Sequence, residues 1–235
     1  MYKNCYVTKG EEYNRYNIHL WDDNGYSVEE FQNYGFSECQ ESQATHRGLG
    51  DEPLRKVTNW DRYASGLHYS DHNKGNIHTK FLIDKYGING EVSTTHREVF
   101  FDIEIEMGGA LTPTYIQKAP KPITSIAWWD KQLDEWAIVI VDKTGEIKEG
   151  IQDGREIIPV RRETDLIEVF LSRMEAIQPD ILVGYNSDYF DIPYIYYRIK
   201  NRLGERHANR LSPIGIVEER NPKYHPDQTI KIAGV

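Results

Sequence analysis

The sequence predicts an α/β protein: an α+β domain over residues 1–96, then a domain over residues 97–235 with a mixed sheet flanked by helices. Three observations predict it. Residues 98–106, EVFFDIEIE, alternate as a strand does. Strand-like runs come first and strand–helix alternation follows, the order expected of a sheet covered by helices. Two long stretches, beginning near Thr164 and Pro193, repeat apolar residues at helical spacing.

In the first domain, Tyr16, Ile18 and Leu20 share one face of a strand, and Asp22-Asp23-Asn24-Gly25 supplies a hairpin turn. Residues 37–56 read as polar and irregular. Thr58–Tyr63 reads as the start of a short helix with Thr58 as its cap. Ile77–Ile88 reads as a strand.

In the second domain, Val99, Phe101, Ile103 and Ile105 point one way from their strand, and Phe100, Asp102, Glu104 and Glu106 the other. A Gly/Pro-rich loop follows over 107–122. Ile123–Trp129 and Trp136–Asp142 form a hairpin around DKQLDE, and more strand or loop runs to Val160. A helix capped by Thr164 buries Leu166, Ile167, Phe170, Leu171, Met174 and Ile177, with Pro179 past its end. Ile181–Gly184 reads as a fully buried strand. The last helix has Pro193 in its first turn, an apolar stripe of Ile192, Ile195, Tyr196, Ile199 and Leu203, and Gly204 as its stop. Residues 216–232 read as a hairpin.

Composition excludes several classes. The chain has 28 aromatic residues, 5 Trp, 16 Tyr and 7 Phe, too many for a solvated flexible tail. It contains no run of about 18 apolar residues, hence no membrane span is expected. The N-terminus lacks a secretory signal's apolar core, and Cys5 and Cys39 form no CxxC pair, so reduced thiols in the cytoplasm are expected. The net charge of −9 is unevenly spread. Residues 101–191 hold 9 basic against 18 acidic side chains; residues 192–235 hold 8 against 4. That pattern fits a carboxylate metal site with phosphate-facing cations nearby, and equally an acidic protein with one solvated basic helix.

Asp102 and Glu104 are the sharpest local signal. Two residues apart on a strand, they share a face and sit roughly 7 Å apart. Carboxylates on a covered face need hard cations such as Mg²⁺ or Mn²⁺; on a wet face they need no partner, and the residues alone leave both readings open. The second signal is GYNSDYFDIPYIYYR, residues 184–198, where a strand ends and a helix begins. Asn186, Asp188 and Asp191 therefore lie where α/β sheets place their sites. Asp191 near a helix N-terminus is also explained by the helix dipole, and Asn186 by a turn. Tyr185, Tyr189 and Phe190 are able to stack a base. Lys200, Arg202, Arg206 and Arg210 either follow a phosphate backbone or form a solvated helix face.

FFDIEIE followed some eighty residues later by GYNSDYFDIPYI resembles the first two exonuclease motifs of family B DNA polymerases. The run RIKNRLGERHANRLSPIG is similar to the same region in the T-even-type phage members. The resemblance implies a ribonuclease H-like nuclease domain that removes nucleotides in the 3′→5′ direction from a single-stranded DNA 3′ end or a primer-template. It implies that Asp102 bridges two Mg²⁺ or Mn²⁺ ions, that Glu104 holds the ion that activates water, and that Asp191 binds the second ion. Asn186 and Phe190 would then shape the pocket for the terminal nucleotide. The family's third motif, Tyr-x-x-x-Asp, is not present before Val235, so weak or incomplete activity is expected, with the remaining polymerase segment as a possible separate partner chain. Two other readings stand beside this one: a non-catalytic piece of a split polymerase, and a ribonuclease H-like nuclease acting on RNA or junctions.

Overall fold

The computed structural model describes residues 2–48, 50–58, 76–87, 93, 95–106, 108–221, 223–224 and 229–235. The chain divides into two compact units, Met1–Thr94 and Thr95–Val235.

The first unit contains an antiparallel sheet of β1 (Tyr2–Lys9), β2 (Arg15–Asp22) and β3 (Gly25–Gln32). The two-residue turn Asp23-Asn24 joins β2 to β3, with Asp22 paired to Gly25. Ile18 and Leu20 are fully buried and pack with Cys5 and Phe81. Residues 37–56 are more regular than their polarity suggests. A second antiparallel sheet runs there, with β4 (Gly35–Glu38) and β5 (His46–Arg47) on either side of β6 (Pro53–Val57). Its short strands lack apolar alternation: Leu54 is buried, while Phe36 and Val57 are half-buried. The helix expected from Thr58 to Tyr63 lies, past Thr58, outside the described residues.

Ile77–Ile88 is corrected by the structure. Its described part is helix α1 (Ile77–Tyr86), not a strand. Alternation would place Ile77, Phe81 and Ile83 on one face, yet Ile83 is 52% exposed while Leu82 and Tyr86 pack with Phe81. The backbone cap decides it. Asn76 is extended and its side chain accepts the Thr79 N–H, and Gly87, at φ 65°, ends the helix. Asn76→Ala is expected to cost this unit about 1 kcal/mol, read as a lower denaturant midpoint at unchanged slope.

The second unit is built on a six-stranded sheet in the order β10-β11-β9-β8-β7-β12. Its strands are β7 (Glu98–Ile105), β8 (Ile123–Asp130), β9 (Glu135–Val141), β10 (Gly150–Gln152), β11 (Arg155–Val160) and β12 (Ile181–Val183). β7, β8 and β9 run antiparallel, while β11 is parallel to β9 and β12 is parallel to β7. The mixed sheet agrees with the α/β reading.

Val99, Phe101 and Ile103 of β7 enter one core with Ile126, Trp128 and Val139. Helix α3 (Glu163–Ile177) adds Leu166, Ile167, Phe170 and Leu171, and helix α4 (Asp191–Leu203) adds Tyr194, Ile195, Tyr196 and Ile199. On the opposite face of the sheet, the rings of Phe100, Trp129 and Trp136 form a cross-strand row with neighbours 5.2 Å apart.

Three local expectations change. The 107–122 loop contains a short helix, α2 (Pro113–Lys118), because Thr112 accepts the Tyr115 N–H and Pro113 suits the first helical position. Thr164 is not the cap of α3. The extended residue is Arg162, which pairs with Asp165, and Glu163 and Asp165 bring negative charge to the first turn. β12 is not fully buried. It is the sheet edge, and Ile181 is 40% exposed. The hairpin expected over 216–232 is present as β13 (Val217–Glu219) paired with β14 (Ile230–Ile232).

Candidate active site

β12 pairs with β7 only from Glu98 to Phe100. Beyond Phe100, the β12-side edge of β7 is therefore open to other partners. Asp191 takes that position. Its Oδ1 accepts the backbone N–H of Ile103 at 3.3 Å. Ile103 is the residue between Asp102 and Glu104, so a carboxylate from the second stretch meets the strand between the two carboxylates of the first.

The connection from β12 to α4 delivers Asp191 there. Gly184 follows β12, and a Cβ on it would lie 2.9 Å from the Phe101 carbonyl oxygen, closer than real Cβ atoms come. Asn186 sits at φ 63°, a left-handed conformation that Asn tolerates, and its carbonyl accepts the N–H groups of Tyr189 (3.0 Å) and Phe190 (3.1 Å). Ser187 then accepts the Ile192 N–H at 2.9 Å, and Phe190 that of Tyr194 at 2.8 Å. α4 begins at Asp191.

Asp102 and Glu104 are exposed, whereas Asp191 is only 2% exposed. Burial pushes the Asp191 carboxyl up to about 6. The Ile103 N–H and its own backbone N–H oppose that rise; the negative charges of Asp102 and Glu104 add to it. The negative charges of the first stretch thus reach the carboxyl of the second.

Three carboxylates are hard oxygen donors, the set that suits Mg²⁺ or Mn²⁺. Among the described residues, no three His, Cys, Asp or Glu side chains gather closely enough to hold one ion by themselves.

The aromatic and basic candidates divide. Tyr185 is 96% exposed, and Tyr189 is exposed too. Phe190 is half-buried, with its ring 5.5 Å from that of Tyr194. Asn186 is exposed, and its backbone forms the turn. Lys200 reaches Glu219 of β13 at 2.5 Å and Glu205 at 3.7 Å. Arg210 makes a two-sided pair, 2.7 Å to Glu168 and 2.7 Å to Glu175 of α3. Those two cations offset carboxylates within the fold. Arg202 and Arg206 are exposed.

One cation escaped sequence reasoning. Arg198 is buried and its guanidinium pairs with Glu163. The signal was its place beside the apolar stripe, three residues from Ile195 and one from Ile199.

Comparison with known proteins agrees with this geometry. The model of the DNA polymerase family B exonuclease domain matches residues 74–235. The chain is similar to the DNA-directed DNA polymerase of Escherichia phage RB69, with 29% identity over 212 residues, covering 76% of this chain and 23% of the relative. It is similar to the DNA-directed DNA polymerase of Enterobacteria phage T4, with 34% identity over 96 residues, covering 41% of this chain and 10% of the relative. A shorter match, 31% identical over 72 residues, reaches the DNA polymerase delta catalytic subunit of Candida albicans, covering 26% of this chain and 7% of that protein. The chain spans less than a quarter of the length of these relatives. With motif residues on β7 and at the start of α4, and a family match over most of its length, the chain belongs to the exonuclease domain of family B DNA polymerases.

Proposed function

We propose that this domain removes nucleotides from the 3′ end of single-stranded DNA by metal-assisted hydrolysis, as the proofreading part of a DNA polymerase. The observation that carries the reading is the hydrogen bond from Ile103 N–H to Asp191, which joins the two acidic stretches at one point of the sheet. Asp102 would be the ligand shared by two ions, with Glu104 and Asp191 each completing one side. Mg²⁺ or Mn²⁺ bound there supplies an activated water and charge stabilisation at the phosphodiester. Mg²⁺ characteristically takes one or two carboxylates and completes its shell with water and substrate phosphate oxygens.

The chain's own residues do the rest. Asp191, held by the Ile103 amide, keeps the second stretch against the first. Tyr185 presents a free ring to a terminal base, and Phe190 and Asn186 shape the turn beside it. Arg202 and Arg206 offer exposed guanidinium groups to the strand's phosphates.

A second reading is dependence on a partner chain or further polymerase segment that adds donors. The lack of any closed three-residue metal group among the described residues favours it.

One assay tests both readings. Single-stranded DNA and RNA of the same sequence, labelled at the 5′ end, are incubated with the chain and Mn²⁺. Stepwise shortening of DNA from its 3′ end, absent with chelator, is expected. Internal cuts, or faster loss of RNA, would refute the assignment; shortening only after a second polymerase segment is added selects the partner-dependent reading.

A further inference from the structure

Three polar side chains of α4 address one segment of backbone. Tyr194, Arg198 and Asn201 are spaced four and three residues apart, hence lie on one side of the helix. The Tyr194 hydroxyl donates to the Lys121 carbonyl (2.8 Å) and accepts the Lys121 N–H (3.1 Å). Arg198 Nη1 donates to the Ala119 carbonyl at 2.8 Å. Asn201 Nδ2 donates to the carbonyls of Gln117 (3.2 Å) and Lys118 (3.1 Å). Glu163 of α3 completes the arrangement. It accepts from Arg198 Nε and Nη2, each at 2.7 Å, and from the Ile123 N–H at 2.8 Å.

The bound segment, residues 117–123, is the return from β7 to β8. It is tied in turn to the chain around Glu104. The Glu106 N–H donates to the Pro122 carbonyl at 3.0 Å, and Thr124 Oγ1 donates to the Glu104 carbonyl at 3.1 Å. A continuous set of directional bonds therefore runs from the helix that begins with Asp191 to the strand end that carries Glu104.

We infer that Tyr194 and Arg198, with Glu163, are positioning residues that fix where Asp191 stands relative to Asp102 and Glu104; this rests on the proposed metal site. Apolar packing by Ile192, Ile195 and Ile199 holds α4 on the core but discriminates weakly against axial slip. One residue of slip moves a helix 1.5 Å and turns it 100°. A bidentate guanidinium–carboxylate pair does not tolerate that displacement. Burying this pair also carries a desolvation cost that apolar residues of similar size would avoid, so stability alone gives little reason for it.

The test uses the whole 235-residue chain, ¹⁵N-labelled, with two readouts: hydrogen exchange of the Ile103 amide, whose acceptor is Asp191, and Mn²⁺ affinity at pH 7. Arg198→Met with Glu163→Gln removes both charges and keeps a side-chain oxygen for the Ile123 N–H. The expected result is a folded protein whose Ile103 amide exchanges about tenfold faster and whose Mn²⁺ affinity falls about tenfold, the scale typical of supporting partners of metal ligands. Tyr194→Phe should move both readouts the same way by less. Phe170→Leu, a destabilising change in the core of α3, should move neither. Should the double variant fail to fold, Arg198→Lys is read identically.

Unchanged Ile103 exchange overturns the positioning role, as does faster exchange with unchanged Mn²⁺ affinity in a wild type that binds through Asp191. If instead wild type binds Mn²⁺ no better than Asp191→Asn, while Ile103 still loses protection in the double variant, the metal reading fails and the structural linkage stands.

Discussion

Asp191→Asn is expected to make the protein more stable at pH 7. The Asp191 carboxyl is pushed up to about 6 in the fold, against an ordinary 3.8. The direction follows from linkage. An acid whose folded value is raised favours folding most while it is protonated in both states, below about 4. That contribution is lost as pH rises through 6, where the folded protein must hold a buried anion. At 1.36 kcal/mol per unit, the ionised form costs about 3 kcal/mol at neutral pH. Asparagine keeps an oxygen to accept the Ile103 N–H and carries no charge. Urea unfolding of the variant should therefore show a gain approaching that figure at pH 7 and little difference at pH 4. A variant less stable than wild type at pH 7 would mean that the carboxylate is already compensated within the fold.

The larger expected effect is on cleavage. Asp102→Ala should reduce Mn²⁺-dependent shortening of a DNA 3′ end by roughly a thousandfold, about 4 kcal/mol of transition-state stabilisation. Stability should change little, since Asp102 is exposed on the strand's outer face. Asp102 is the proposed shared ligand, so its loss should exceed that of either neighbour. Initial rates with a 5′-labelled strand, whether from this chain alone or with an added polymerase segment, measure it. A loss below tenfold would remove Asp102 from the centre of the reaction.

Local patterning made β7 legible: the buried Val99, Phe101 and Ile103 against the exposed Asp102 and Glu104 follow from alternation alone. The core faces of α3 and α4 were legible for the same reason, as 3.6-residue repeats. α1 was not, because Ile77, Phe81 and Ile83 also satisfy a two-residue period, and the arbitrating feature was the Asn76 cap. The edge position of β12 depends on which strands neighbour it, and a run as short as Ile181–Val183 is silent on that.

Ion pairing was the least legible level. Arg210 meets Glu168 and Glu175 from 42 and 35 residues away, and Lys200 meets Glu219 from 19. Charge counting along the chain cannot separate such internally matched cations from Arg202 and Arg206. The burial of Asp191 was hidden likewise. The sequence places it near a helix start, but only the open edge of β7 brings it beneath the outer strand surface.

Asp102, Glu104 and Asp191 are proposed to act together on shared divalent cations. Mn²⁺ titration at pH 7, followed by the loss of the free-ion electron paramagnetic signal, tests it most directly in wild type, Asp102→Asn and Asp191→Asn. Weaker binding in both variants is the predicted result. Wild-type affinity retained in Asp191→Asn would contradict it, because the second acidic stretch would then have no part in holding the metal.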